Sequence, residues 1–537
     1  MNDTSPPPDP ASGSALAPLR ERVFRMLWLA WLAANITMWM NDVAAAWLMT
    51  TLTDSAVMVA LVQAASTLPV FVLGLPSGAL ADILDRRRYF ASTQLWVASV
   101  AVVLALLSFF DMLSAPLLLA LTFANGIGMA MRWPTFAAIV PEIVPRPHLP
   151  QALALNGVAM NMSRVIGPVV AGALLAGAGH VYVFLLNAAL SIVAFVLIVR
   201  WKSQRRVSAL PGERFVGAMR VGFQHVMQSP RMRSVLVRIF LFFLQSTSLT
   251  ALLPLIAKRS HDGGAGTFTL LLAAMGAGAI VAALSMARLR MRFGSDQFVR
   301  TGTVLHAAMS VTIVFSPTLW LAVPAMMVAG MAWIVTANSL TVAAQMALPN
   351  WVRARGMSIY QMALMGGSAA GAALWGQVAS LSSVPTSIVA AAVAGPLMLL
   401  LTRRVSVAGG EDEDLSPALP AGGAPMPSVQ PQPDEGPVMV TVEYQIDPAR
   451  AADFAEVMKE SRRARLRQGV LSWGLFRDPL QAGHYIEYYL DESWLEHLRR
   501  QERFTAADIG LRERRLAFHL GAEPPKVVRY IGDPLDD

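Results

Sequence analysis

Three ionisable residues, Asp42, Arg132 and Arg164, lie inside long apolar segments of this sequence. A charge within a hydrocarbon layer is costly, so such residues usually face a partner or a water-filled cavity. One carboxylate near two guanidinium groups can release a proton when a positively charged molecule competes for it. It can also stay in a permanent ion pair, and the sequence leaves both possibilities open.

Helical spacing places further polar side chains on the same faces as these charges. Residues three, four or seven positions apart share one face of a helix, which groups Asn35 with Asp42 and Asn161 with Arg164. We therefore predict a central cavity in which Asp42 is the protonatable member, and a conformational role for Arg132. The predicted proton-coupling and substrate-cavity residues are Asp42, Asn161, Arg164, Asn35, Met38 and Asn125.

The segments that carry these residues are long enough to span a membrane. Charged residues make up only 15% of the chain, against roughly 25% in soluble domains, and a spanning helix needs about 20 consecutive apolar residues. Together with spans near 24–50 and 151–178, the charge-free runs predict twelve transmembrane helices. These runs are 55–81, 89–110, 112–131, 165–199, 239–257, 263–287, 301–352 and 356–402, and each of the last two is long enough for two spans.

A weak internal repeat divides the apolar region into two halves. Residues 149–151 (Leu-Pro-Gln) correspond to 348–350 (Leu-Pro-Asn), and the small residues at 167–172 correspond to those at 366–371. Parallel repeats of this kind build secondary transporters, whose two halves close around a site near the membrane midplane.

Basic residues are concentrated in alternate connecting loops, and this bias predicts the orientation. With a cytoplasmic N-terminus, the outer loops contain only Lys258 and Arg259 as basic residues, in agreement with the positive-inside rule. We predict a multi-pass protein of the bacterial inner membrane with both termini in the cytoplasm. The net charge of +8 then reflects topology, and no nucleic-acid partner is expected.

Composition divides the chain into six segments. A Pro-rich stretch with an acidic run follows the apolar region, and this composition predicts disorder. The predicted segments are a disordered tail 1–20, a six-helix half 21–200, a cytoplasmic basic loop 201–233, a second six-helix half 234–404, a disordered linker 405–437 and a cytoplasmic domain 438–531.

The last segment has the pattern of a soluble α+β domain. We predict strands at 438–446, 471–477, 484–490 and 526–531, with helices at 448–468 and 493–501. The order βαββαβ is that of a ferredoxin-like fold. Helices on one face leave the other face of the sheet uncovered, so we expect the domain to self-associate. The aromatic residues predicted for that open face are Tyr444, Trp473, Phe476 and Tyr488.

Residues 78–88, Gly-Ala-Leu-Ala-Asp-Ile-Leu-Asp-Arg-Arg-Arg, resemble the loop signature of the major facilitator superfamily. Asp85 stands where that superfamily commonly has glycine. The resemblance implies an inner gate in which Asp82 stabilises the N-terminal end of the eleventh span, near 355–357. A basic loop that only anchors the protein is the alternative. The predicted inner-gate and conformational residues are Gly78, Asp82, Asp85, Arg86, Arg87 and Arg132.

Residues 161–168, Asn-Met-Ser-Arg-Val-Ile-Gly-Pro, resemble the glycine–proline motif of exporters in the same superfamily. Proline bends a helix because it lacks a backbone N–H, and small residues let helices approach closely. A kink without functional bias is the alternative. The predicted helix-packing residues are Gly167, Pro168, Gly172, Gly366 and Gly371, with Gly167 equivalent to Gly366 and Gly172 to Gly371.

At a finer level, residues 20–530 resemble the bacterial transmembrane secretion effector family, which includes enterobactin-exporter-like proteins. The stretches that carry this similarity are 39–44, 132–142, 161–168 and 494–503. The tail domain resembles the antibiotic-biosynthesis-monooxygenase-like dimeric α+β barrels, some of which oxidise aromatic substrates or bind haem. Its candidate residues for such a role are His484, His497, Trp473 and Trp494. We expect dimerisation or regulation instead, with His497 on an interface or a solvated face.

These observations predict a secondary active transporter in the lipid bilayer that exports a small amphipathic molecule, such as a siderophore, drug or metabolite, by proton antiport. The sequence has no phosphate-cradling loop, metal-ligand spacing or nucleophile triad, so we expect no enzymatic activity, catalytic residue, cofactor or metal. Two alternatives stay open. One is a lipid or metabolite translocator whose fused domain is an enzyme, and the other is a non-transporting membrane scaffold.

Overall fold

The computed structural model describes residues 16–145, 148–201, 215–259, 264–290, 294–403, 413–418 and 431–533. The chain divides into two compact units. Unit 1 comprises residues 1–209, 236–341 and 360–404, and unit 2 comprises 210–235, 342–359 and 405–537.

Within its described residues, the apolar part of the chain forms thirteen α-helices. They are α1 (Arg22–Leu52), α2 (Ala56–Ile83), α3 (Arg86–Phe109), α4 (Ala115–Ile143), α5 (Leu149–Gly177), α6 (His180–Arg200), α7 (Phe215–Gln228), α8 (Pro230–Arg259), α9 (Ala265–Arg290), α10 (Ser295–Val314), α11 (Leu319–Met346), α12 (Arg353–Leu381) and α13 (Val384–Leu401). All but α7 are long, and ten of those in the described part of the chain are long and apolar enough to cross a membrane. The other two, α10 and α12, begin with charged residues. The predicted α-helical membrane fold is confirmed.

Helices of unit 1 pack closely within each half and between the halves. Helix α1 packs against α5 and α6, α2 against α4, and α10 against α13, while α5 packs against α9. Glycine permits a close approach of the backbones of α9 and α11. A Cβ atom at Gly278 would lie 1.9 Å from the carbonyl oxygen of Met327, and one at Gly330 would lie 2.0 Å from that of Met275. Small residues therefore hold these helices together, as is common in membranes.

The predicted basic loop 201–233 contains a helix. Residues 202–214 lie outside the described part, but α7 fills most of the remainder and the first turn of α8 follows it. Apolar Val221 and Val226 are buried. Helix α7 is amphipathic, and it belongs to unit 2.

Unit 2 contains a four-stranded antiparallel sheet with helices on one face. Its elements are β1 (Val438–Gln445), α14 (Ala451–Arg467), β2 (Ser472–Arg477), β3 (His484–Asp491), α15 (Trp494–Gln501), α16 (Ala506–Leu516) and β4 (Lys526–Ile531). The strand order is β2-β3-β1-β4. This is the ferredoxin-like arrangement, with the second predicted helix followed by a further one, α16.

The predicted disordered linker 405–437 is ordered where the structure describes it. The backbone N–H groups of Ala506 and Ala507 donate to the carbonyl oxygens of Ser416 and Asp414, at 3.0 Å each. The N–H of Trp494 donates to the carbonyl of Glu435 at 2.7 Å. The prediction of disorder is therefore wrong for 413–418 and 431–437. It rested on composition, which does not reveal hydrogen bonds to residues distant in the sequence. Residues 404–412 and 419–430 lie outside the described part.

Two of the four aromatic residues predicted for the open face of the sheet lie on the other face. Tyr444 pairs with Tyr485 on the neighbouring strand, and Trp473 pairs with Tyr489, on the side that the helices cover. Tyr444 is completely buried there. Only Phe476 and Tyr488 lie on the open face, where their rings stack at 5.6 Å.

Candidate functional site

Asp42 lines a small cavity formed by both halves of unit 1. Asp42 is on α1, Gln63 and Ser66 are on α2, and Thr250 on α8 completes the lining from the other half. The Oδ1 atom of Asp42 is buried and has no hydrogen-bond partner. A carboxylate in this position can accept a proton or a cation without first breaking an ion pair.

Asn35, Met38 and Asn125, which were predicted for the cavity, do not line it. Asn35 donates from Nδ2 to the carbonyl oxygen of Trp31, one turn earlier on the same helix, at 2.7 Å. Met38 packs in an apolar cluster with Val70 and Met129. Asn125 is buried, and the side chain of Asn161 lies outside the described residues. Helical spacing placed Asn35 and Met38 on the correct helix but could not show which neighbour each would meet.

The guanidinium group of Arg164 lies over two indole rings. Its Cζ atom is 5.5 Å from the ring centroid of Trp39 on α1 and 5.0 Å from that of Trp333 on α11. Among the described residues no carboxylate forms an ion pair with Arg164, and its Nε atom is buried without a hydrogen-bond partner. The permanent ion pair with Asp42, which was the alternative to a protonatable Asp42, is therefore not formed by Arg164 in this structure.

Arg132 has a similar environment elsewhere in the first half. It is almost completely buried, and its Cζ atom lies 5.5 Å from the ring centroid of Trp31. Trp31 in turn stacks on Phe136 at 4.1 Å. Both Nε and Nη2 of Arg132 lack hydrogen-bond partners.

The predicted inner gate is described only in part. Gly78, Asp82 and Arg86 lie outside the residues whose side chains are described, so the expected contact of Asp82 with residues 355–357 stays a prediction. Asp85 caps α3, because its Oδ1 accepts a hydrogen bond from the backbone N–H of Arg88 at 2.9 Å. Arg87 donates to the carbonyl oxygen of Val199 at the end of α6.

The predicted packing glycines all lie at close helix contacts. A Cβ atom at Gly167 would lie 2.5 Å from Cβ of Trp39 on α1, and one at Gly371 would lie 2.4 Å from the carbonyl oxygen of Leu244 on α8. Pro168 follows Gly167 inside α5. Gly366 faces Phe71 of α2, and Gly172 faces Thr269 of α9. Gly167 packs on α1 and Gly371 packs on α8, each on the first membrane helix of its own half. The contacts of Gly167 therefore match those of Gly371 better than those of Gly366.

Sequence reasoning missed the residues that surround Asp42 and Arg164. Gln63 and Ser66 are three positions apart on α2, a polar pair in an apolar run, and that spacing was a usable signal. Trp39 is likewise three positions before Asp42. Trp333 gave no signal, because no local pattern shows which distant helix a side chain will meet.

Comparison with known proteins identifies the family. The family described as transmembrane secretion effector matches residues 13–534. The chain belongs to this family. A staphyloferrin A transporter of Staphylococcus aureus is 22% identical over 280 residues, which are 52% of this chain and 70% of that protein. A macrolide efflux protein A of Streptococcus pyogenes is 24% identical over 244 residues, covering 45% of this chain and 60% of that protein.

Solved structures show the fold of this secretion effector. A bacterial homologue of the lysosomal transporter Spinster has a TM-score of 0.56 at 15% identity and covers 72% of this chain and 98% of that one. The nucleoside transporter NupG has a TM-score of 0.57 at 12% identity and covers 72% of this chain and 99% of that one. The secretion effector therefore has the major facilitator fold. Its family and named relatives are transporters, which confirms the prediction of a transporter over an enzyme.

The tail domain contains buried carboxylates that pair with buried arginines. Glu487, on β3, accepts hydrogen bonds from Arg465 Nε at 3.3 Å, Trp473 Nε1 at 2.9 Å and the Tyr444 hydroxyl at 3.1 Å, and Arg515 Nη1 lies 3.5 Å away. Burial raises the pKa of Glu487. The charges of the two arginines and the hydrogen bonds from Trp473 and Tyr444 lower the pKa by more than burial raises it, to about 2. The carboxylate is therefore charged at neutral pH.

A second paired cluster includes His497, which was predicted to lie on an interface or a solvated face. That prediction is wrong, because His497 is only 2% exposed and packs inside the domain. Burial lowers its pKa. The neutral ring donates from Nδ1 to Asp491 at 2.7 Å and accepts at Nε2 from Arg529 at 3.2 Å, a tautomer assigned from these partners. Arg500 also donates to Asp491 at 3.0 Å.

The four tail residues considered for ligand binding or catalysis do not form one cluster. Trp473 donates to Glu487, and Trp494 packs on His497 at 5.3 Å. His484 lies 3.4 Å from Asp478 in the hairpin loop. No group of three or more His, Asp or Glu side chains in the described part of the chain is arranged to hold a metal ion.

Within unit 2, helix α7 binds the tail domain. Arg220 pairs with Glu492 at 2.8 Å, and Gln224 Nε2 donates to the carbonyl oxygen of Val470 at 2.9 Å. His225 Nδ1 hydrogen-bonds to the carbonyl oxygen of Arg467 at 3.1 Å. Burial lowers the pKa of His225 to about 4, so this ring is neutral and donates.

The connection between α11 and α12 joins the same assembly. Trp351 meets the ring of His225 edge-on at 5.3 Å, and Cζ of Arg503 lies 5.2 Å from its ring centroid. The tail domain of the secretion effector thus contacts both the helix that links the two halves and a connection within the second half.

Proposed function

We propose that this protein exports a small amphipathic molecule by proton antiport and that Asp42 is the proton-carrying group. The observation that supports the proposal is the position of Asp42, an unpaired carboxylate in a cavity lined by α1, α2 and α8. In alternating access the two halves rock against each other around a central site. A carboxylate at their junction would face each side of the membrane in turn.

The orientation follows the distribution of basic residues. In the proposed orientation both termini lie in the cytoplasm, together with α7 and the tail domain, in a bacterial inner membrane. The relatives named as a staphyloferrin A transporter and a macrolide efflux protein support a small organic substrate and outward transport. Comparison of intracellular and extracellular metabolites in deletion and overexpression strains would identify the molecule.

The test of coupling is transport into inverted membrane vesicles under an imposed pH gradient. Asp42→Asn should still bind substrate but lose uptake driven by the gradient, because an amide cannot carry the proton. Asp54→Asn is the matched control, since the side chain of Asp54 is fully exposed between α1 and α2. Asp54→Asn should transport like the unmodified protein. Concentrative uptake by Asp42→Asn would show that the coupling role is wrong.

We also propose that the tail domain self-associates through the open face of its sheet. Phe476, which stacks on Tyr488, is 60% exposed on this face, and Tyr530 on β4 is 50% exposed. Pairing with the same face of a second copy would remove these rings from water. Single-molecule photobleaching of the full-length protein in liposomes should count two copies together, and Phe476→Glu should give one. One copy for both proteins would contradict the proposal.

A further inference from the structure

The guanidinium group of Arg164 fills a cage of two indole rings that come from different halves of unit 1. Trp39 is on α1, and Trp333 is on α11, with the Cζ atom of Arg164 at 5.5 Å and 5.0 Å from their ring centroids. A cation between two such rings is attracted by the negative face of each π-system. Trp333 also packs edge-on against Phe243 at 5.5 Å, which fixes one wall of the cage.

The cage and the proposed coupling residue share helix α1. Trp39 and Asp42 are three positions apart on α1 and therefore are neighbours on its surface. Oδ1 of Asp42 is buried without a hydrogen-bond partner, so this carboxylate oxygen is open to a cation.

We infer that the Trp39–Trp333 cage binds the positively charged group of the substrate and that Arg164 occupies the cage when substrate is absent. The substrate is then an amphipathic cation, with a positive group that enters the cage and apolar surface around it. This inference rests on the proposed function, because it names the substrate class of the same site. The substrate cation and the proton would compete for the Asp42 carboxylate, as antiport requires.

The chemistry of the cage favours this role over that of an anion receptor. An anion that bound Arg164 would meet the negative faces of both rings and would lie near the carboxylate of Asp42. A cation meets three favourable groups once Arg164 has moved aside. The long, unbranched side chain of arginine can make that movement, because no ion pair within the described residues holds it.

The experiment compares two ions of nearly the same size and shape but opposite charge. Binding of tetraphenylphosphonium and of tetraphenylborate is measured at equilibrium on the full-length protein in nanodiscs, with no proton gradient. Trp333→Leu should weaken tetraphenylphosphonium binding about tenfold, and Trp333→Phe should weaken it less, because a smaller ring still attracts a cation. Trp320→Leu is the matched control on the same helix, since Trp320 is 91% exposed, and it should bind like the unmodified protein.

The role of Arg164 is tested with the same two ions. Arg164→Gln should strengthen tetraphenylphosphonium binding a few-fold, because the competing cation is gone, whereas Arg164→Lys should keep the competition. The inference is overturned if the unmodified protein does not bind tetraphenylphosphonium, or if Trp333→Leu binds it normally. It is also overturned if Arg164→Gln abolishes tetraphenylborate binding and leaves tetraphenylphosphonium unaffected.

Failure of the proposed coupling would give a different result. Cage variants that alter tetraphenylphosphonium binding as expected, in a protein whose Asp42→Asn variant still concentrates substrate, would support the cage and contradict proton coupling at Asp42. Loss of gradient-driven uptake in Asp42→Asn, together with unchanged binding in the cage variants, would support proton coupling at Asp42 and contradict the cage.

Discussion

Buried charges have opposite environments in the two units of this protein. In unit 1, Asp42, Arg132 and Arg164 have no ion-pair partner among the described residues, and each leaves at least one polar atom unsatisfied. In unit 2, Glu487 and Asp491 are equally buried, yet each accepts hydrogen bonds from arginine and from at least one other side chain. Both kinds of burial cost free energy of desolvation, but only the second recovers it inside the fold.

The difference separates groups that serve the fold from groups that serve transport. Removing one member of a satisfied pair leaves its partner buried and uncompensated, so the fold suffers. Removal of a charge that has no ion-pair partner leaves no opposite charge uncompensated, and such residues inside membrane proteins usually belong to ion or substrate pathways. Stability and transport should therefore respond oppositely to changes in the two units.

The largest effect on stability is expected for Glu487→Gln in unit 2. The change leaves Arg465 and Arg515 buried without a carboxylate, which should lower the free energy of unfolding of the tail domain by roughly 3–5 kcal/mol. Glu443→Gln is the control, because Glu443 is about one-third exposed and pairs at 3.5 Å with the largely exposed Lys526, so this change should cost about 1 kcal/mol or less. Limited proteolysis during thermal unfolding of the full-length protein measures both. Equal losses of stability in the two variants would contradict the proposed role of the buried pairs in the fold of unit 2.

Acid should weaken the tail domain through the same carboxylate. The pKa of Glu487 is lowered to about 2 in the folded domain, from an ordinary value of 4.5. Its stabilising contribution is therefore complete above about pH 4.5 and is lost as the pH falls toward about 2. Tryptophan fluorescence of the full-length protein should report unfolding in this range, and Glu487→Gln should show a smaller dependence on pH. If the unmodified protein and Glu487→Gln unfold over the same pH range, the acid sensitivity comes from other carboxylates.

A smaller effect is expected where a charge pair is only half-buried. Arg220 and Glu492 are each about one-third exposed, so Arg220→Gln should weaken the binding of α7 to the tail domain by about 1 kcal/mol or less. Hydrogen exchange of the amides in α7 should become several-fold faster, while Arg233→Gln, at an exposed position on α8, should leave it unchanged. Unchanged exchange in Arg220→Gln would show that the apolar contacts of α7 suffice.

The smallest effect on stability is expected for Asp42→Asn, although it should abolish coupled transport. The neutral amide removes a buried charge that no partner compensates, so the free energy of unfolding should stay within about 1 kcal/mol or rise slightly. Thermal unfolding in detergent provides the measurement. A destabilisation as large as that of Glu487→Gln would mean that Asp42 holds the fold together and that the two units do not differ in the way proposed.

Most elements of the fold could be predicted, because their signals are local. Apolar runs gave the membrane helices, and alternation gave β3 as 484–490 against His484–Asp491 in the structure. Helix α16 was missed although its signal was present: Thr505 and Asp508 form a capping box at its start. Helix α7 was assigned to a loop because its basic neighbours dominated the composition.

The candidate site could be predicted only in part, because it depends on contacts between distant helices. Apolar helices that are buried all round have no single face that predicts a neighbour, so the contact of Trp333 with Arg164 could not be inferred. The error at Trp473 was avoidable. Trp473 and Phe476 are three positions apart on one strand, and alternation places such residues on opposite faces.

Gly469 shows how strongly the tail domain is fitted to this particular transporter. Gly469 follows α14 and has a φ of +104°, a backbone conformation that residues with a side chain rarely adopt. A Cβ atom at this position would lie 2.7 Å from a methyl group of Val221 on α7. A bare backbone at this point is what allows the domain and the linking helix to touch. The domain is therefore not a portable module. A chimaera that joined it to another transporter would have to carry α7 with it, and a variant of Gly469 would need a matching change at Val221.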